Sequence, residues 1–211
     1  FRSLGSSTSI ACPNIMLNTI LAESLCQAAD ELEKAQDFTK ALNTYIKDTL
    51  SQHKRIIFNG DGYSQEWPIE AQKRGLLNLR TTSDAMQTFL AKKNVSLFTK
   101  HKVHSKSEMI ARHDIQLEDY CKSLNIEART MINIAQKEIL PAIFNYVKDT
   151  SDSAISVQNA LKCQNICAAQ LKVITELTQT ADTMSQKIIE LEDFANKAQK
   201  ILDITKKAVY Y

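Results

Sequence analysis

Glycine is scarce in this 211-residue sequence: there are four, at positions 5, 60, 62 and 75, and the 136 residues after Gly75 contain none and a single proline, Pro141. A stretch so poor in turn formers excludes sandwiches, barrels and glycine-loop nucleotide folds there. Long apolar runs are also missing. The longest, 139–144, contains Pro141 and falls far short of the roughly 20 residues a membrane helix needs, so no membrane span is expected. No charge excess of either sign exists: 26 Lys and Arg face 24 Asp and Glu, distributed almost evenly between the halves. Such a balance offers no stripe for nucleic acid. The sequence opens on Phe1 and a polar stretch without an apolar segment, which suggests a cut inside a longer chain. Five cysteines, an odd number, suit reduced thiols in a cytoplasmic protein better than a disulfide framework.

What is present is hydrophobic periodicity of the helical kind. Pro13 fits the first turn of a helix over about 13–35, with apolar residues from Met16 to Leu32 recurring every three to four positions. Asp37 is an N-cap candidate for a second helix reaching His53. Residues 55–58 are short and β-branched, so they admit at most one short strand, and Asn59-Gly60-Asp61-Gly62 is a cluster of turn formers. Pro68 can open a short helix that Gly75 closes, and Thr82-Ser83-Asp84 precedes another that runs to Ala91.

Ser105 and Glu108 form an S-x-x-E capping box, in which each side chain satisfies the other's backbone donor. Beyond it, Ile110, Leu117, Leu124 and Met131 fall on one seven-residue repeat, and Cys121, Ala128, Ala135 and Ala142 on a second. This predicts a helix over 106–149, bent near Pro141, followed after the 149–152 stretch by a second long stripe from Ala168 to Leu202. Two such stripes should pair antiparallel. The expected fold is all-α, a long antiparallel helical hairpin or bundle.

Candidate chemistry is thin. His101, His104 and His113 could be imagined around a metal, yet the first two precede the capping box, and three solvated imidazoles are the simpler reading. Cys163 and Cys167, an i,i+4 pair, lack a nearby partner set and read as core or half-buried thiols. Asp61 stands in a turn without the further oxygen ligands calcium requires. No catalytic constellation emerges from spacing.

One stretch is more specific. His53-Lys54-Arg55-Ile56-Ile57-Phe58-Asn59-Gly60-Asp61-Gly62-Tyr63-Ser64, with Trp67, Glu70-Ala71-Gln72-Lys73-Arg74-Gly75-Leu76-Leu77-Asn78-Leu79 and Thr81-Thr82, resembles the type III glutamine synthetases. Leu17-Asn18-Thr19-Ile20 with Ala22-Glu23-Ser24-Leu25, and Lys137-Glu138-Ile139-Leu140-Pro141-Ala142, resemble the same family. The resemblance implies that residues 1–104 end a catalytic domain and 105–211 form the type III helical extension. It implies that Arg2 binds the glutamate substrate or the transferring phosphate, since a guanidinium fork holds two oxygens in parallel hydrogen bonds. Residues 1–211 would have no activity and bind no cofactor alone. By the same resemblance, ATP, ammonia, glutamate and Mg or Mn would belong to the complete enzyme, expected to be a homo-oligomer of two stacked hexameric rings. A stand-alone helical adaptor without catalysis is the alternative.

Overall fold

The computed structural model describes residues 9–211. The described chain is helical without strand, in two compact units, Phe1–Ile115 and Gln116–Tyr211. The division falls inside a helix, later in the chain than the capping box.

In the first unit, α1 (Ala11–Leu32) and α2 (Phe38–Gln52) form a pair, and Asp37 caps α2 by accepting the Lys40 N–H at 3.0 Å. Residues 55–58 form no strand: Lys54–Ile56 is a single 3-10 turn. The reason lies in a later residue, because Arg74 donates to the carbonyls of Arg55 and Ile57, at 3.4 and 2.8 Å, which a strand would have spent on a neighbour. α3 (Glu66–Lys73) ends as the sequence suggests. Gly75, at φ +72°, donates to Gln72 and Leu76 donates to Ala71, the paired bonds of a Schellman motif. α4 (Thr82–Phe89) starts earlier than expected, with Thr81 as the cap accepting from the Asp84 N–H. α5 (Lys92–Lys100), which periodicity does not announce, buries Phe98. The capping box forms: Ser105 N–H donates to Glu108 at 2.7 Å and Glu108 N–H to Ser105 Oγ at 3.2 Å.

From there α6 (Lys106–Ile134) leads through a π-helical segment (Ala135–Ile139) into α7 (Leu140–Leu161). Pro141 has no N–H to give and its ring crowds the carbonyl four residues earlier, so the widened turn just before it is the disturbance that the proline imposes. The helix does not stop at 149–152. Thr150 and Ser151 turn their hydroxyls back to the carbonyls of Tyr146 and Val147, and Ala154 is buried one turn later. α8 (Ala168–Gln199) returns antiparallel, as the pairs Ser153–Gln170 on one side and Arg129–Asn196 on the other require. Ile132, Ala135 and Ile188 form the core of this unit, with Leu140, Met184 and Leu191 packed around it. α9 (Ile204–Tyr210) follows, capped by Asp203.

The heptad reading is right in the middle and wrong at its ends. Leu117, Cys121 and Ala135 are buried, whereas Ile110, Met131 and Ala142 are exposed. A strict seven-residue repeat drifts by ~20° per heptad around a straight α-helix, so three heptads carry a stripe about 60° off the core. On α8 the stripe is buried at Ala181, Ile188, Ala195 and Ala198, but Leu171 is exposed, and Leu202, which lies beyond the helix, is 97% exposed.

Among the described residues three helices end in Schellman motifs, and of these α3 alone uses glycine. Lys102 at φ 54° follows α5, with Val103 N–H bonded to Phe98, and Lys162 at φ 50° follows α7, with Cys163 N–H bonded to Gln158. A side chain in the left-handed region costs roughly 1–2 kcal/mol. Lys162→Gly should therefore stabilise the hairpin by about 1 kcal/mol in urea unfolding, after the greater chain freedom of glycine is deducted. No gain would mean that the lysine is not strained there.

Candidate functional site

The most specific sequence stretch, residues 53–82, folds as a braced loop. Phe58 stacks on Trp67, ring centres 4.1 Å apart, and the Arg74 guanidinium lies 5.9 Å from the centre of the Trp67 ring. Arg74 also donates to Glu70 at 2.6 Å, one turn earlier on α3, and to the two loop carbonyls already named. The hydrogen bond from Arg74 holds the Glu70 carboxyl below its ordinary range. On the other side Asp61 accepts the Tyr63 N–H at 2.9 Å, and its carbonyl accepts from the Ser64 hydroxyl at 3.0 Å, an Asx turn built from its own loop.

Gly60 completes the stack. A Cβ built there would meet the Phe58 ring at 2.5 Å. Gly60→Ala should push Phe58 off Trp67 and cost about 1 kcal/mol, the usual value of an aromatic pair. Trp67 is the only tryptophan. Its emission reports the change directly, and an unaltered spectrum would show that the ring gives way without leaving the stack. The braced loop leaves Lys54, Arg55 and Asn59 exposed on a backbone held by Arg74.

A second constellation joins α1 to the end of α5. Glu23 accepts from Lys100 Nζ at 2.8 Å, from Gln27 Nε2 at 2.9 Å, and pairs with His101 Nε2 at 2.6 Å. The Lys100 hydrogen bond, then those of His101 and Gln27, lower the Glu23 pKa from 4.5 to about 2. A depressed carboxyl contributes stability that is complete above pH 4.5 and lost as pH falls through about 2. Glu23→Gln should therefore be less stable than the parent at pH 7, with the difference closing between about pH 4.5 and 2. A difference that persists below pH 2 would place its origin elsewhere.

The remaining candidates do not converge. His101 faces Glu23, His104 is buried against Phe98 with ring centres 5.6 Å apart, and His113 pairs with Asp114 at 2.9 Å. The three imidazoles are thus largely covered by separate neighbours, not solvated. Cys163 and Cys167 sit half-buried in the connection between α7 and α8, Cys167 at φ 68° with its thiol 3.9 Å from the Ala154 carbonyl. Among the described residues no three His, Cys, Asp or Glu side chains gather as a metal ion would need. Arg2 lies outside the described residues. Sequence reasoning gave no role to Arg74 or to the Glu23 cluster. A carboxylate four residues before an arginine was visible for Arg74, but no local signal pairs residue 23 with 100.

The braced loop lies within residues 41–158, which match the model of the glutamine synthetase C-terminal domain. The chain belongs to that family. It is 36% identical over 188 residues to a type-3 glutamine synthetase of Dictyostelium discoideum, covering 88% of this chain and 26% of that protein. A glutamine synthetase of Butyrivibrio fibrisolvens is 33% identical over 193 residues, covering 92% and 27%. One from Bacteroides fragilis is 28% identical over 171 residues, covering 79% and 22%. The chain therefore spans about a quarter of the length of these glutamine synthetases.

Proposed function

We propose that this chain is the C-terminal portion of a type III glutamine synthetase, and that its own contribution is architectural. The observation that carries the reading is the family match over 41–158, together with relatives of which it spans only a quarter. In the complete enzyme ATP phosphorylates the γ-carboxylate of glutamate, and ammonia then displaces phosphate to give glutamine. Residues 1–104 end the catalytic domain, where the braced loop fixes the backbone around α3. Residues 105–211 form the helical extension.

Arg2 is the one residue of this chain assigned to substrate, as a fork for glutamate carboxylate or transferring phosphate. The divalent ions that the reaction uses, Mg or Mn, find no ligand set among the described residues, so no step is assigned to them on this chain. Residues 1–211 alone are not expected to form glutamine. The complete protein is a cytoplasmic homo-oligomer of stacked hexameric rings. Exposed apolar residues support an assembly role: Leu17, Leu21 and Leu25 line one face of α1, and Ile126 and Met131 lie on α6.

The reading is tested on the intact protein by following phosphate release and glutamine formation with ATP, ammonia and glutamate. Both products should appear in equal amounts and depend on all three substrates, and Arg2→Ala should lower the rate at least tenfold. An intact protein that forms no glutamine would leave the adaptor reading.

A further inference from the structure

Two features of the second unit call for a partner. The first is a groove of about 480 Å³ beside the π-helical segment, lined by Ile126, Met131, Ile134, Ile139 and Met184. It shares Met184 with a second depression, lined also by Thr180, Thr183 and Glu176. The only charged residues along both are Glu127 and Glu176, and Glu176 has only a 3.8 Å contact with Lys172. The floor is adaptable, since methionine thioethers repack around varied shapes.

The second feature is Leu202, 97% exposed in the turn between α8 and α9. Within its own chain it borders another cavity, with Cys121, Ile126 and Ile204, and remains uncovered there. Lys200, Lys206 and Lys207 surround it in sequence, and none of the three forms an ion pair among the described residues. Of the nearby carboxylates, Asp203 is committed to capping α9, and Glu118, which lines the same cavity as Leu202, is paired with Lys122 at 2.9 Å. An apolar knob flanked in sequence by unpaired lysines and an apolar groove edged by glutamates are complementary in both hydrophobicity and charge.

We propose that a second copy of this chain seats its Leu202 turn in the groove at the π segment, with its lysines against Glu127 and Glu176. The contact is head-to-tail, the type that generates rings when its rotation closes. This rests on the assembly reading above and names the surface that serves it.

The test uses the intact protein, co-assembled from isotope-labelled and unlabelled chains, with the photo-crosslinking residue p-benzoylphenylalanine in place of Leu202. Mixed-isotope adducts should map to residues 126–139 or 176–184 of another copy. Lys200→Glu with Lys206→Glu should reduce adduct yield at least fivefold, and adding Glu127→Lys should restore it. Leu202 is so exposed that the fold survives these changes. The absence of mixed-isotope adducts, or mixed-isotope adducts that map only elsewhere, would each overturn the proposal, as would a mixed-isotope yield indifferent to charge. Glutamine formation is measured separately: a protein that crosslinks as stated but makes no glutamine defeats the enzymatic reading alone.

Discussion

Ile188→Asp should unfold most of the second unit at neutral pH. Ile188 is 7% exposed and packs with Ile132 and Ala135 at the centre of the α6–π–α8 contact, where no cation stands to pair a carboxylate. An unpaired charge buried in such a core costs about 3–5 kcal/mol, comparable to the total stability of a unit this small. Far-UV circular dichroism should register a large loss of helix in the variant and little change in Ile188→Val. Leu171→Asp provides the contrast. Leu171 belongs to the same sequence stripe but is 46% exposed, and its substitution should change stability by less than about 1 kcal/mol. A loss of helix as great in Leu171→Asp would mean that the hairpin register differs from the one described.

Arg74→Ala should release the loop of residues 54–64 at a cost of about 2–3 kcal/mol. One guanidinium serves Glu70, the carbonyls of Arg55 and Ile57, and the face of Trp67, and hydrogen bonds to a charged group contribute about 1.5–3 kcal/mol. The side chain is 28% exposed, so the ionic part is discounted for solvent screening and the sum stays near a single such bond. Arg74→Lys should recover less than half of the loss, because an ammonium lacks the planar fork that spans the carboxylate and the loop carbonyls together. Chemical unfolding gives the magnitude, and Trp67 emission tells whether the loop has moved. A lysine variant as stable as the parent would show that charge alone, not geometry, braces the loop.

The all-α architecture was legible because apolar spacing and the lack of glycine point the same way over most of the chain. Local caps were legible too: Asp37, Ser105 with Glu108, and Gly75 all act as their chemistry suggests. What escaped depends on context that sequence spacing does not carry. The ends of α5 and α7 are set by lysines in the left-handed conformation, where a reader looks for glycine or asparagine. The fate of residues 55–58 is decided by Arg74, seventeen and nineteen residues from the carbonyls it takes. Continuity through 149–152 comes from the burial of Ala154 overriding the local preference of Asp, Ser and Thr for helix ends. For the candidate site, the resemblance drew attention to residues 53–82, which fold as a braced loop, while spacing alone assigned no role to the residues that brace it. The link from Glu23 to Lys100 and His101 spans 77 and 78 positions and becomes visible only in the fold.

The proposed role of this chain in a glutamine synthetase is architecture and assembly. Light scattering and glutamine formation, measured together on the intact protein carrying Ile188→Asp, test it most directly. The account predicts a smaller native mass, with activity falling in proportion to the lost assembly. A full-size oligomer that has lost its activity would contradict it, because the hairpin would then take a direct part in the chemistry.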